Sequence, residues 1–123
     1  MNTFQPQAII YSQDEEVHRK IGAYVAPLSE VGHVNDPQRV PVVLAQCGPS
    51  VLWVDLGSAH SSDVIKETLH HLANTLVIAL GIPHSEPMQW AATMELFGTL
   101  DAGAQRHDVQ ALAVAKAADR ADL

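Results

Sequence analysis

Apolar residues occur along the chain in short, nearly continuous runs separated by more polar stretches. The runs are AIIY (8–11), SVLWVD (50–55), TLVIALGI (75–82) and the weaker LFGTL (96–100). A continuous apolar run of this length, bounded by turn residues, is typical of a strand buried on both faces of a sheet. A further short strand is predicted near 30–34, in the least regular part of the chain. The pattern therefore predicts five strands.

The segment after the first strand has apolar residues at helical spacing, namely Val17, Ile21, Val25 and Leu28. This stripe predicts an amphipathic helix. Ser12 or Asp14 is expected to cap the helix, because either side chain can accept hydrogen bonds from the free N–H groups of its first turn. Pro27 is expected to end it, since proline cannot continue the backbone hydrogen bonding.

Four more helices are predicted between and after the remaining strands. A brief helix begins or is interrupted at Pro41 and ends before Gly48. The segment 85–96 has Pro87 in a first-turn position, where its missing N–H costs nothing. The C-terminal segment is rich in alanine, the strongest helix former. The helix after the third strand has a stripe formed by Val64, Ile65, Leu69 and Leu72.

Strand and helix thus alternate five times along the 123 residues. Such alternation, with strands too apolar to face water, indicates an α/β fold with a parallel sheet covered by helices on both faces. Right-handed crossovers make the flavodoxin-like, doubly wound (βα)5 sandwich with strand order 2-1-3-4-5 the simplest topology. We place one domain at 1–118, with 119–123 as a tail, the start of a linker or the frayed end of the last helix.

Composition and charge exclude several classes of function. The net charge is −7, and the seven Lys and Arg residues are scattered. Nucleic-acid binding by this domain is therefore not expected, because it requires a clustered basic face. Membrane binding is not expected either, since no apolar stretch approaches the ~20 residues of a spanning helix. The N-terminus lacks a secretion signal, and a single cysteine, Cys47, fits a reducing compartment. A cytoplasmic location is predicted.

One carboxylate raises a chemical question. The apolar residues 51–54 run directly into Asp55, which Gly57 and Ser58 follow in a turn. The carboxyl edge of a parallel sheet is where ligands bind in this kind of fold. Asp55 is therefore either a reactive or ion-binding group, or a solvated acid that starts the next turn.

The strand–helix pattern with an Asp closing the third strand resembles the receiver domains of bacterial response regulators. The resemblance covers nearly the whole chain. Four stretches carry it: AIIYSQDEEVHRKI for the first strand and helix, SVLWVDLGS for the third strand, TLVIALG for the fourth, and LFGTLDAGAQRHDVQALAVA for the fifth strand and last helix. It implies a regulatory domain of two-component signal transduction and phosphorelay, such as the N-terminal part of a transcription regulator. It also implies that Asp55 is the phosphoacceptor.

Only Asp55 matches the reactive set of that family. The family has a pair of acids after strand one, where this sequence has Ser12 and Gln13. A shifted alignment offers Asp14, which gives one acid at best. Hard cations such as magnesium prefer several carboxylate oxygens, so a lone carboxylate beside neutral side chains is a poor site.

The switch positions implied by the resemblance have changed as well. The Ser or Thr that ends strand four is replaced by Leu80 or Gly81. The Lys of strand five falls near Leu100, which Thr99 precedes, and Asp101 stands where a Pro normally follows. Phosphoryl transfer depends on charge neutralisation by metal and cationic groups, and a phosphoryl group without such a partner cannot reposition loops.

These losses predict a degenerate receiver, or pseudo-receiver. The expected function is non-catalytic signalling through contact with protein, either self-association as a homodimer or control of an effector, with no cofactor and no metal. Two alternatives remain. In the first, Asp55 is a residual phosphoacceptor; in the second, the uncharged sheet edge between SQD, DLGS and GIPH is a nucleotide or small-molecule sensor. An enzyme ranks last, because no catalytic constellation is recognisable and the fold supplies none by itself.

The remaining candidate residues have a structural and a functional interpretation. Met88 and Trp90 lie on the fourth helix, which in receivers belongs to the surface that dimerises or contacts effectors; they either form an interface or pack on the sheet. His60 and Asp63 lie near Asp55 in sequence, but a metal site there is not expected. Histidines can make the surface charge vary near pH 6 to 7, and this chain has seven: 18, 33, 60, 70, 71, 84 and 107.

Overall fold

The computed structural model describes residues 7–71 and 74–121, with side chains described up to residue 113. Its strands are β1 (Ala8–Tyr11), β2 (Val31–Val34), β3 (Val51–Asp55), β4 (Leu76–Gly81) and β5 (Gly98–Asp101). Its helices are α1 (Glu15–Val25), α2 (Val40–Cys47), α3 (Ser61–His71), α4 (Glu86–Ala92) and α5 (Arg106–Ala121), with a short 3-10 turn, Pro37–Arg39, before α2. The predicted strand–helix alternation is confirmed.

The five strands form one parallel sheet in the order β2-β1-β3-β4-β5. This arrangement confirms the predicted flavodoxin-like α/β sandwich. In the register of the central strands, Tyr11 lies opposite Val54, and Asp55 lies opposite Leu80. The carboxyl ends of β1, β3 and β4 therefore meet at one edge of the sheet, and the loops that leave them form the site described below.

Successive strand residues point to opposite faces and build two cores. On one face, the strand residues Ile9, Leu52 and Val77 pack under α2, α3 and α4. On the other face, Ile10 and Ile78 pack under α1 and α5. Tyr11 and Trp53 are fully or almost fully buried, as the apolar runs predict; they lie in the first and the second core respectively.

Two leucines that the sequence places on the apolar stripes of α1 and α3 are exposed. Leu28 is 46% exposed, because α1 ends at Val25 and the chain leaves the helix before this residue. Leu69 is 38% exposed, because α3 turns Val64, Ile65 and Thr68 to the sheet. The Thr68 hydroxyl can be buried there since it donates a 2.8 Å hydrogen bond to the Val64 carbonyl. Leu72, the fourth residue of the predicted stripe, lies outside the described residues.

The last helix extends past the predicted domain boundary. Helix α5 continues to Ala121, so residues 119–121 belong to it, and the 1–118 boundary stays a prediction. Within 7–71 and 74–121, no helix has the length and apolar character needed to cross a membrane.

Candidate functional site

Asp55 is held by side chains from two loops at the carboxyl edge of the sheet. Ser12 directly follows β1, and the register of β1 with β3 brings it beside Asp55. The Ser12 hydroxyl donates a 2.7 Å hydrogen bond to Oδ2 of Asp55, and the Ser58 hydroxyl donates a longer one, 3.3 Å, to the same oxygen. Ser12 has no exposed surface, and Ser58 is buried. One carboxylate oxygen thus has two hydroxyl partners.

The other oxygen of Asp55 closes a turn. Oδ1 accepts a 3.0 Å hydrogen bond from the backbone N–H of Gly57, the arrangement by which Asp side chains stabilise turns. The Ser58 N–H donates to the Asp55 carbonyl at 3.0 Å. Both interpretations of Asp55 therefore find support: it lies at the ligand-binding edge, and its carboxylate already works as a structural acceptor.

The two residues after Ser12 join the β1–α1 loop to its neighbours. The backbone N–H of Gln13 donates to the Ser58 hydroxyl at 2.8 Å, and Oε1 of Gln13 accepts from the Ala59 N–H at 3.1 Å. Asp14 is the N-cap of α1, with Oδ1 accepting from the Glu16 N–H at 2.9 Å. The positions of the family's acid pair hold neutral groups, and Asp14 is engaged with its own helix.

Tyr11 extends this network beneath the loop. Its phenol donates a hydrogen bond to the Ala59 carbonyl, 48 residues away in sequence. Burial raises the pKa of Tyr11, and the negative charges of Asp36 and Asp55 raise it further. The β1 end and the β3–α3 loop are therefore tied together by Ser12, Gln13 and Tyr11.

The four switch positions carry no charge. Leu80 lies opposite Leu100 in the β4–β5 ladder, and Gly81 lies opposite Asp101. Leu80 is buried and packs in the second core, whereas Thr99 is exposed. A Cβ at Gly81 would come within 3.0 Å of the Leu56 side chain, so a Ser or Thr there would require Leu56 to move.

A cation reaches this edge from a different element. The Lys20 ammonium, on α1, donates a 3.2 Å hydrogen bond to the carbonyl of Ala102, just after β5. It lines a hollow of about 350 Å³ together with Asp14, Leu80 and Gly103. The sequence search missed Lys20, because it looked for a lysine in the fifth strand. Asp101, the last residue of β5, instead accepts from the Gly103 N–H at 2.8 Å.

The described part of the chain contains no cluster of three or more His, Cys, Asp or Glu side chains suited to a metal ion. His60 and Asp63 pair with each other at 3.5 Å on the surface. Cys47 is half-buried against the first core, where burial raises the pKa of its thiol. Its surroundings are those of a packing residue.

Met88 and Trp90 are both half-buried and pack against the first core from α4. The Lys66 ammonium lies 5.8 Å from the Trp90 ring centre, within cation–π range. The structural interpretation of these residues is thus realised in part, while each retains exposed surface.

Comparisons with known proteins place this architecture. No protein-family model matches the sequence, and no curated protein matches it significantly. Among solved structures, the isolated REC domain of RcsB from Salmonella enterica serovar Typhimurium, determined in the presence of phosphomimetic BeF3-, superposes with a TM-score of 0.70 at 17% identity, over 87% of this chain and 84% of that one. The chain has the receiver-domain fold.

Two other solved structures have similar scores. The signal receiver domain of a protein described as the LuxO repressor of Vibrio parahaemolyticus gives a TM-score of 0.73 at 14% identity, over 98% of this chain and 99% of that one. An adenylate cyclase structure from Rhodopirellula baltica gives 0.73 at 16% identity, over 88% and 84%. Likeness at this level of identity establishes the receiver fold, and the chemistry must be argued from the residues.

Proposed function

We propose that this chain is a degenerate receiver domain that signals by contact with protein and not by magnesium-dependent phosphorylation of Asp55. The observation that carries the proposal is the hydrogen bond from Ser12 to Asp55, at the position where the family has an acid. A neutral hydroxyl donor there stabilises the carboxylate as a structural acceptor. It provides no negative oxygen for a divalent cation.

The surroundings of Asp55 disfavour its use as a nucleophile. Three donors already share its two oxygens: Ser12, Ser58 and the Gly57 N–H. Attack on a phosphodonor by either oxygen would disturb these bonds and would proceed without a bound cation to neutralise the incoming phosphate. The network is thus better suited to holding the loop than to reacting.

The ends of β4 and β5 disfavour a phosphorylation switch. Gly81 has no hydroxyl that could follow a phosphoryl group, and Leu80 and Leu100 are apolar. Lys20 is the nearby cation, but its ammonium bonds the Ala102 carbonyl from α1. Neither β4 nor β5 has a cationic residue, so charge at Asp55 lacks the ionic partner that would transmit it to the surface formed by α4 and β5.

Association is the output that these observations support. Ile82, which follows β4 and precedes α4, has 71% of its surface exposed, and the half-buried Met88 and Trp90 lie on the helix after it. Exposed aliphatic, Met and aromatic groups are typical of interface cores. We propose that this surface binds a second copy of the chain, giving a homodimer, or an effector domain.

Light scattering across a concentration series tests self-association. Wild-type protein is expected to have twice the chain mass, and Ile82→Asp is expected to have the mass of one chain. Leu28→Asp is the matched control, since Leu28 is also exposed but lies at the opposite edge of the sheet. A wild-type protein that stays monomeric at all concentrations contradicts the homodimer.

A small-molecule sensor is the second candidate, favoured by the hollow beside Lys20. Its ammonium could pair with a phosphate, and the hollow opens next to the Asp14 cap at the carboxyl edge. A nucleotide at a hundredfold excess over its Kd should stabilise the domain by about 2.7 kcal/mol. A thermal-shift screen that finds no stabilisation, or the same stabilisation in Lys20→Met, contradicts this candidate.

A further inference from the structure

We propose that His18 and His33 form an acid-sensitive latch between α1 and the edge strand β2. The latch holds while the pair carries at most one extra proton, and it opens when both rings are protonated, which loosens the loop that bonds Asp55. This inference stands on hydrogen bonding around Ser12 and is independent of whether Asp55 is phosphorylated.

The geometry of the pair fixes where its hydrogens lie. Nδ1 of His18 is 2.8 Å from Nδ1 of His33, and Nε2 of His18 is 2.7 Å from the carbonyl oxygen of Ser12. A carbonyl only accepts, so Nε2 of His18 carries a hydrogen. In the neutral pair, Nδ1 of His18 is then the acceptor and His33 donates through its own Nδ1–H.

Ser12 connects this pair to the candidate site. Its carbonyl accepts from His18, its hydroxyl donates to Asp55, and its backbone N–H donates to the Val34 carbonyl at 3.2 Å. Hydrogen bonds therefore link His33 to His18 and His18 to the backbone of Ser12, whose side chain bonds Asp55. Movement of His18 away from Ser12 acts directly on the residue that holds the carboxylate.

Gly22 makes the approach of the two rings feasible. It lies one helical turn after His18, and a Cβ at this position would be 3.0 Å from Cε1 of His33. Glycine within a helix costs roughly 0.5–1 kcal/mol relative to alanine. Here its missing side chain leaves room for His33 to lie over α1. The pair borders an open groove of about 590 Å³, so protons from solvent reach it freely.

Counting protons gives three states of the pair. The neutral pair has one Nδ1–H between the rings. With one proton added, the His18 imidazolium donates to both Ser12 and His33, and His33 moves its own hydrogen to Nε2. With two added, Nδ1–H faces Nδ1–H between two positive rings, and the 2.8 Å contact cannot persist. The second proton is therefore the one that opens the latch.

The charged groups around the groove set the pH at which that second proton binds. Burial lowers the pKa of His33 first, the positive charge of His18 lowers it further, and the Glu15 carboxylate opposes both. Arg19 lines the same groove but forms an ion pair with Glu16. The β2 side contributes the neutral Asn35. The latch is thus expected to open at a pH below the ordinary histidine pKa of about 6.5.

A metal ion fits the pair less well than a proton. Imidazole is a common ligand for zinc and copper, but stable sites use three or four protein ligands. In the described ranges, no third metal-ligating side chain joins His18 and His33 in a suitable cluster.

NMR of the imidazole nitrogens in the intact chain tests the latch between about pH 8 and about pH 4.5. At the upper end, hydrogen is expected on Nε2 of His18 and on Nδ1 of His33. On acidification, His33 is expected to titrate below the usual histidine pKa of about 6.5, and the amide signals of Ser12 and Gly57 are expected to shift with the His33 midpoint. Other tautomers, or a His33 midpoint at or above the usual histidine pKa of about 6.5, would overturn the proposal without any variant.

His33→Gln supplies the second arm. The glutamine amide can donate to His18 but cannot titrate, so the acid shift of the Gly57 amide at the His33 midpoint is expected to be lost. His107→Gln is the matched control and should retain it. A Gly57 shift that persists in His33→Gln overturns the coupling to Asp55. None of these readouts uses a phosphodonor or a partner, so their outcome is separate from that of the proposed function.

Discussion

Ser12 donates its hydroxyl hydrogen to Asp55 over 2.7 Å, although 43 residues separate the two in sequence. The bond is charge-assisted and lies where β1 and β3 end side by side. In the receiver family, by resemblance, an acid occupies the Ser12 position and helps Asp55 to hold a cation. In this chain the same two positions form a fixed donor–acceptor pair, and the sheet edge is organised around it.

Ser12→Ala should destabilise the domain. Hydrogen bonds to charged groups contribute about 1.5–3 kcal/mol, and Ser12 is fully buried, so water cannot readily replace its hydroxyl. We expect the free energy of unfolding in urea to fall by roughly that amount. Ser62→Ala, at an exposed serine of α3, is the control and should change stability little. A Ser12→Ala loss within about 0.5 kcal/mol would mean that the bond contributes nothing.

Substitutions at Asp14 separate a capping role from a charge role. Asp14 accepts from the Glu16 N–H as the N-cap of α1. Asn caps helices about as well as Asp, so Asp14→Asn should be nearly neutral, while Asp14→Ala should lose about 1 kcal/mol of unfolding free energy. Equal losses in the two variants would show that the negative charge, and not the cap, is what matters at this position.

Tyr11→Phe should lower the free energy of unfolding at neutral pH, and this deficit relative to wild type should shrink at high pH. Near pH 7, loss of the bond to Ala59 should cost about 0.5–1.5 kcal/mol. The pKa of Tyr11 is raised by burial and by Asp36 and Asp55, so above pH ~10 the folded state keeps a proton that the unfolded state loses.

Wild-type stability therefore falls as the pH rises past ~10, and Tyr11→Phe lacks this contribution. Unfolding curves at several alkaline pH values measure the difference. Tyr24→Phe is the control, because Tyr24 is the other tyrosine of the chain and lies on α1. Its ring is half-buried beside Arg106, away from the bond to Ala59. An equal alkaline decline in wild type and Tyr11→Phe would contradict the assignment.

Gly22→Ala should not increase the free energy of unfolding as a glycine-to-alanine change within a helix usually does. Replacing glycine by alanine within a helix normally stabilises by roughly 0.5–1 kcal/mol. Here the new Cβ would press on His33, so we expect little gain or a loss. In a His33→Ala background the full gain should appear. Urea unfolding of the four proteins forms a double-mutant cycle, and additivity within about 0.3 kcal/mol would contradict the contact.

The sequence was sufficient to predict the architecture, because the physics of the strands is local. Runs such as 51–54 are apolar on both faces, and right-handed crossovers leave one simple strand order. The error at Leu69 has a local cause too. The spacing of apolar residues placed Leu69, and not Thr68, on the face of α3 that packs on the sheet. The Thr68 hydroxyl can be buried there because it donates a hydrogen bond to the Val64 carbonyl.

The candidate site was less predictable, because its contacts depend on register and side-chain direction. Pattern alone placed Asp55 at the sheet edge, but it treated Ser12 as a lost acid or a helix cap and Ser58 as a turn residue, and it assigned neither of them a bond to Asp55. His18 and His33 meet across α1 and β2, a contact that no helical or strand spacing encodes. Lys20 approaches β5 from α1, so a search along the fifth strand could not find it.

Treatment with acetyl phosphate and magnesium, followed by intact-mass spectrometry, tests the central claim most directly. Asp55→Asn gives the background, and a receiver domain that retains the family's acid pair shows that the donor is active. The account predicts that the wild-type chain gains no more phosphoryl adduct than Asp55→Asn. A stoichiometric adduct that requires magnesium and disappears in Asp55→Asn would contradict it.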